Sequence, residues 1–81
     1  MELDLKAILR ILSKLSFVPL PEIQADTDII QDLEIDSIRL VEFFYEIEKQ
    51  FSIKFNIANL KKEDINTPEK ILIFLEKNRK Q

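Results

Sequence analysis

Ser37-Ile38-Arg39-Leu40-Val41-Glu42-Phe43-Phe44-Tyr45-Glu46-Ile47-Glu48-Lys49-Gln50-Phe51 is the stretch from which the fold can be read. Leu40, Phe43, Phe44, Ile47 and Phe51 recur at i, i+3, i+4, i+7 and i+11, the spacing of one buried face of an α-helix. Ile38, Val41 and Tyr45 recur at i, i+3 and i+7 on a second stripe, rotated away from the first and flanked by Glu42, Glu46 and Glu48. A small domain has difficulty burying both stripes. The second is therefore expected to be an exposed apolar strip that meets a partner, the alternative being a central helix buried nearly all round.

Upstream, Leu5, Ile8, Leu9, Leu12 and Leu15 recur at helical spacing among Asp4, Lys6, Arg10 and Lys14, which predicts an amphipathic helix. The segment from Ser16 to Pro21 should end it, because the residue before each proline is pushed out of the α region. A long acidic connection then runs to Asp36, with Ile23, Ile29, Ile30 and Leu33 expected to dock on the core. Loops of this length are uncommon in compact domains and often functional.

Downstream, Phe51-Ser52-Ile53-Lys54-Phe55-Asn56-Ile57 alternates with period two, but no second strand is evident to pair with it. It reads as an extended connector with Ile53 and Phe55 turned inward, followed by a short helical turn between Asn56 and Asp64. Thr67 as N-cap, Pro68 at the first helical position and Glu69 at the positive dipole end open a last helix. Its face is Ile71, Leu72 and Leu75 with Phe74 beside them, and a basic tail follows from Lys77. The expected fold class is all-α: a small four-helix bundle of three longer helices and one short helix, forming a single domain over residues 1–81. Phe43, Phe44 and Tyr45 together suggest a crowded interior that shelters a long guest chain poorly.

The composition excludes whole classes of chemistry. The 81 residues include no Gly, Cys or His. Without Cys or His, the usual zinc sites and the nucleophile pairs built on histidine cannot be assembled. Without Gly there is no P-loop and no dinucleotide fingerprint. No pair of residues has the arrangement for stand-alone catalysis, so the chain is not expected to be an enzyme. The longest apolar run, Ile71 to Leu75, is far short of the ~20 residues needed to span a bilayer. The first residues, MELDLKAILRILSKL, carry charge throughout and lack the apolar core of a secretion signal. A cytoplasmic monomer is the expectation.

The formal net charge of -3 hides a division. From Pro21 to Glu48 nine acidic residues stand against Arg39 alone, a net of -8, which leaves +5 for the rest. Such an acidic segment repels nucleic acid and favours basic protein partners, so DNA binding through the helix at Ser37 is a poor reading.

Within that segment, Asp32-Leu33-x-x-Asp36-Ser37-Ile38-x-x-Val41-Glu42 resembles the phosphopantetheine attachment motif of acyl carrier proteins, D-L-G-x-D-S-[LIM]-x-x-[VL]-E. The similarity extends over nearly the whole chain, from the first amphipathic helix through Asp28-Ile29-Ile30-Gln31-Asp32-Leu33 to the helix opened by Thr67. A lone Asp-Ser-Ile is explained as well by helix capping; the flanking Asp-Leu and Val-Glu, the length and the charge distribution make it specific.

The resemblance implies a carrier whose Ser37 receives covalent 4'-phosphopantetheine from coenzyme A, with acyl or aminoacyl cargo held as a thioester in fatty acid or secondary-metabolite biosynthesis. It implies a phosphopantetheinyl transferase that brings its own base and metal, with Asp36 helping to hold magnesium during modification but no stable metal site. It further implies a loading ligase and downstream synthases that meet Ile38, Arg39, Val41, Glu42, Tyr45 and Glu48. The departures are Glu34 where glycine is usual, which implies a different backbone conformation in the turn, and Arg39 at a position often acidic or small. The segment Glu63-Asp64-Ile65-Asn66-Thr67-Pro68-Glu69-Lys70-Ile71 is also similar to D-alanyl carrier proteins, with Ile65 where their Trp stands, although a good helix start explains it as well. The remaining alternative is an unmodified helical module that binds another protein through Ile38, Val41 and Tyr45.

Overall fold

A computed structural model describes residues 3–55 and 60–80. Three α-helices dominate: α1 (Leu5–Ser16), α2 (Ser37–Phe51) and α3 (Pro68–Lys77). Two 3₁₀ turns, Leu20–Glu22 and Lys62–Asp64, punctuate the connections. The second of these is the short helical element expected before Asp64. The start of that span, residues 56–59, lies outside the described residues, as do Asn56 and Ile57 of the alternating segment.

The all-α class follows from how each helix is started and buried. Asp4 caps α1, its Oδ1 accepting from the Ala7 N–H at 2.9 Å. Ile8 and Leu12 are fully buried, but Ala7 and Ile11 join them while Leu5, Leu9 and Leu15 are half-buried. The buried face is displaced from the sequence stripe because α1 packs against both α2 and α3. The helix stops before the prolines act: Phe17 turns left-handed at φ 62°, donating its N–H to the Ser13 carbonyl at 3.0 Å with its ring in solvent.

On α2, Leu40, Phe43, Phe44 and Ile47 are buried and Phe51 packs against the core from a half-buried position. Phe43 and Phe44 meet edge to face at 5.4 Å, and Phe44 reaches Phe74 of α3 at 6.2 Å. Those two rings crowd the interior; Tyr45 points outward and does not. Thr67 caps α3 through Oγ1, which accepts from the Lys70 N–H at 3.2 Å, and Pro68 fills the first helical position.

The connector after α2 does find a partner. Lys54–Phe55 (β1) pairs antiparallel with Arg79–Lys80 (β2), in the register Lys54 to Lys80 and Phe55 to Arg79. A two-residue pairing with a basic tail leaves no side-chain pattern, so the extended segment looked solitary in sequence. The pairing joins the C-terminal ends of α2 and α3. Their N-terminal ends are joined too, since Ile29 bonds through its backbone to both Asn66 and Ile35. The two helices therefore run in the same direction.

Ser52 ends α2 in the left-handed region at φ 53°, with its N–H on the Glu48 carbonyl. A residue with a Cβ loses about 1–2 kcal/mol there, and glycine gives back about 0.5–1 kcal/mol in chain entropy. Ser52→Gly and Phe17→Gly should each raise stability by about 0.5–1 kcal/mol, seen as a higher urea midpoint at unchanged slope. A lower midpoint in either variant would mean that the side chain contributes more than its backbone strain removes.

Candidate functional site

The long connection to α2 is a fixed strap. Ile23, Ile29, Leu33 and Ile35 are buried, and Ile30 packs against them from the edge. Asp28 folds the middle of the strap: its Oδ1 accepts from the N–H groups of Ile30 at 3.0 Å and Gln31 at 2.9 Å, while its carbonyl takes the Asp32 N–H at 2.8 Å. The strap is sewn to the start of α3 by Ile29 N–H to the Asn66 carbonyl (2.9 Å) and Glu69 N–H to the Ala25 carbonyl (3.0 Å).

From Asp32 to Asp36 burial alternates: Leu33 and Ile35 point in, Asp32, Glu34 and Asp36 point out. Glu34 makes the turn at φ 55°. The turn thus keeps the left-handed conformation that glycine favours, in correction of the expectation that Glu34 forces a different one; the flanking buried side chains hold it there. Asp36 is then extended and caps α2, its Oδ1 accepting from the Arg39 N–H at 2.9 Å. Ser37 is the first helical residue and is exposed. Among the described residues its hydroxyl has no hydrogen-bond partner, and the N–H groups of Ser37 and Ile38 lack acceptors, as the first turn of a helix requires.

The second stripe of α2 is exposed: Ile38 at 70%, Val41 at 66% and Tyr45 at 64%. That excludes the helix buried all round. Arg39 and Glu42 lie beside the strip and pair with each other at 3.1 Å. Glu48 is placed differently. Its Oε2 accepts from the Phe55 N–H at 3.1 Å and its Oε1 lies 3.9 Å from Lys54 Nζ, so it secures β1 to α2. The site therefore brings together Asp36, Ser37, Ile38, Arg39, Val41, Glu42 and Tyr45, with Glu48 at its far margin.

A family model for the phosphopantetheine attachment site matches residues 6–75, nearly the whole described fold. The chain belongs to the acyl carrier protein family. Its members carry 4'-phosphopantetheine covalently. A search of curated proteins returned no match.

The residues of this carrier fit that group. A hydroxyl that is exposed and has no partner among the described residues is suited to linkage, and N–H groups at the positive end of α2 suit a phosphodiester. A surface hollow of about 450 Å³ lies elsewhere, lined by Glu63, Asp64, Lys70, Ile73, Phe74, Lys77 and Asn78. Ile35, which closes the turn before Ser37, was missed in sequence, although the alternation over residues 32–36 carries its signal. The anchoring carbonyls of Ala25 and Asn66 leave no such signal, since any residue supplies one.

Asp36→Ala should lower stability by about 1 kcal/mol through loss of the cap. Asp36→Asn, which caps comparably, should stay within a few tenths, ~0.3 kcal/mol. Urea unfolding of the two variants separates capping from charge: equal losses would assign the effect to the carboxylate's charge.

Proposed function

We propose that this carrier accepts 4'-phosphopantetheine on Ser37 and holds acyl or aminoacyl intermediates for fatty acid or secondary-metabolite biosynthesis. The observation that carries the reading is an exposed serine, its hydroxyl without a partner among the described residues, at the first position of α2 beside an exposed apolar strip. When bound, the prosthetic arm supplies the thiol on which cargo rides as a thioester. The chain supplies an accessible oxygen, a helix start that favours a phosphodiester and a contact surface.

Activation of Ser37 belongs to the partner transferase. The groups flanking the serine are committed within the fold: Asp36 caps the helix through Oδ1 and Arg39 pairs with Glu42. The second oxygen of Asp36 is available to help the transferase hold magnesium during modification. Ile38, Val41 and Tyr45, with Arg39 and Glu42 beside them and Glu48 at the margin, form the face met by the transferase, a loading ligase and downstream synthases. In this reading the chain is a single carrier domain over residues 1–81, is not itself an enzyme, and works as a monomer in the cytoplasm. No described helix is long and apolar enough to cross a membrane.

The segment shared with D-alanyl carriers has structural duties: Ile65 is fully buried, Thr67 caps α3 and Pro68 occupies its first position. Those duties are the same whether the cargo is acyl or aminoacyl.

Incubating the purified chain with a broadly acting phosphopantetheinyl transferase, magnesium and coenzyme A should add one prosthetic group by intact-mass measurement, and Ser37→Ala should add none. An unmodified wild-type chain, or a Ser37→Ala variant that still gains the group, sinks the proposal. Retained partner binding by Ser37→Ala together with its loss in Val41→Glu would favour the unmodified interaction module instead.

A further inference from the structure

α2 carries three glutamates, and the fold sets a cation of the same chain against each. Arg39 lies 3.1 Å from Glu42, Lys14 of α1 lies 4.0 Å from Glu46, and Lys54 of β1 lies 3.9 Å from Glu48. The Arg39–Glu42 pair borders the apolar strip within the first two turns of the helix, where Ser37 begins it. Both of its side chains are near half exposed, so it presents to a partner a joined plus and minus instead of a free carboxylate. Lys49, also exposed, adds a further cation to the outer surface of α2.

We propose that Arg39 is a specificity-determining residue: by cancelling Glu42 it makes α2 select partners with an apolar docking face, through Ile38, Val41 and Tyr45, and disfavours partners that dock through a cationic patch. The inference rests on the reading that Ser37 is modified. Charge complementarity is the argument. A cationic patch gains less from a carboxylate that already has a cation 3.1 Å away, and it meets the Arg39 charge at the same place. The exposed apolar area of the strip is unaffected by the pair. An exposed i,i+3 pair contributes little to folding, so its consequence falls on recognition.

The test is steady-state modification of the full chain by a phosphopantetheinyl transferase whose carrier-docking face is basic, at several salt concentrations. Arg39→Ala should lower KM about threefold or more, leave kcat unchanged and make KM rise more steeply with salt, because Glu42 is then free. Glu42→Gln should raise KM, the double variant should return to within about twofold of wild type, and Arg39→Lys should resemble wild type. Val41→Asn should raise KM in every background. Arg39→Ala that leaves KM and its salt dependence unchanged overturns the inference, as does a rise in KM, which would mean that Arg39 adds to transferase binding instead of screening Glu42. In both of those cases the wild-type chain is still modified and the carrier reading stands. A wild-type chain that accepts no group overturns both.

Discussion

The backbone of Ile29 holds the starts of two helices. Its side chain is fully buried, its N–H donates to the carbonyl of Asn66, and its carbonyl accepts from the N–H of Ile35. Asn66 precedes the cap of α3 and Ile35 precedes the cap of α2. Buried peptide groups must be paired, and leaving one unpaired costs about 1–3 kcal/mol. Moving the strap away from α3 would break these bonds and expose Ile29 as well. The position of Ser37 relative to the bundle is thereby fixed from below, by backbone bonds that do not involve Ser37. Among the described residues no side-chain bond of Ser37 itself contributes to that placement.

A chain without glycine has to turn its corners with residues that have a Cβ. Phe17, Glu34 and Ser52 occupy the left-handed region, at the ends of α1 and α2 and just ahead of α2. Each carries strain of about 1–2 kcal/mol. At Glu34 the strain lies between Leu33 and Ile35, both buried, and two residues ahead of the capping Asp36. The core and the cap determine the turn from both sides, so the conformation persists with an unfavourable residue in it. This explains how a departure from the family motif at Glu34 leaves the start of α2 intact.

What could be read from sequence was whatever burial writes as a period. The two stripes of α2 were legible because Leu40, Phe43, Phe44 and Ile47 share one face while Ile38, Val41 and Tyr45 share another. The caps were legible because Asp36 and Thr67 stand where side-chain oxygens meet free N–H groups. Interactions made through the backbone left no such record. The pairing of β1 with β2 uses peptide groups of Arg79 and Lys80, whose side chains read only as a basic tail. The role of Glu48 was hidden for a related reason. As one of several glutamates on an acidic helix it gave no sign of the bond that its carboxylate accepts from the Phe55 N–H seven residues on.

Charge counted along the chain and charge presented at the surface are different quantities. Of the cations that answer the glutamates of α2, only Arg39 comes from the acidic segment; Lys14 and Lys54 come from elements outside it. Folding thus moves positive charge onto the helix, while Asp32 and Glu34 remain exposed in the strap just ahead of Ser37. The negative field shifts from the body of α2 to its beginning. A phosphodiester on Ser37 would add to the field at that end, where the helix dipole and the free N–H groups oppose it. Further along, the face is apolar and nearly neutral. On the proposed reading two tasks would be separated along one helix: its start would accommodate an anionic linkage, and its exposed strip would supply contact area whose strength depends little on salt.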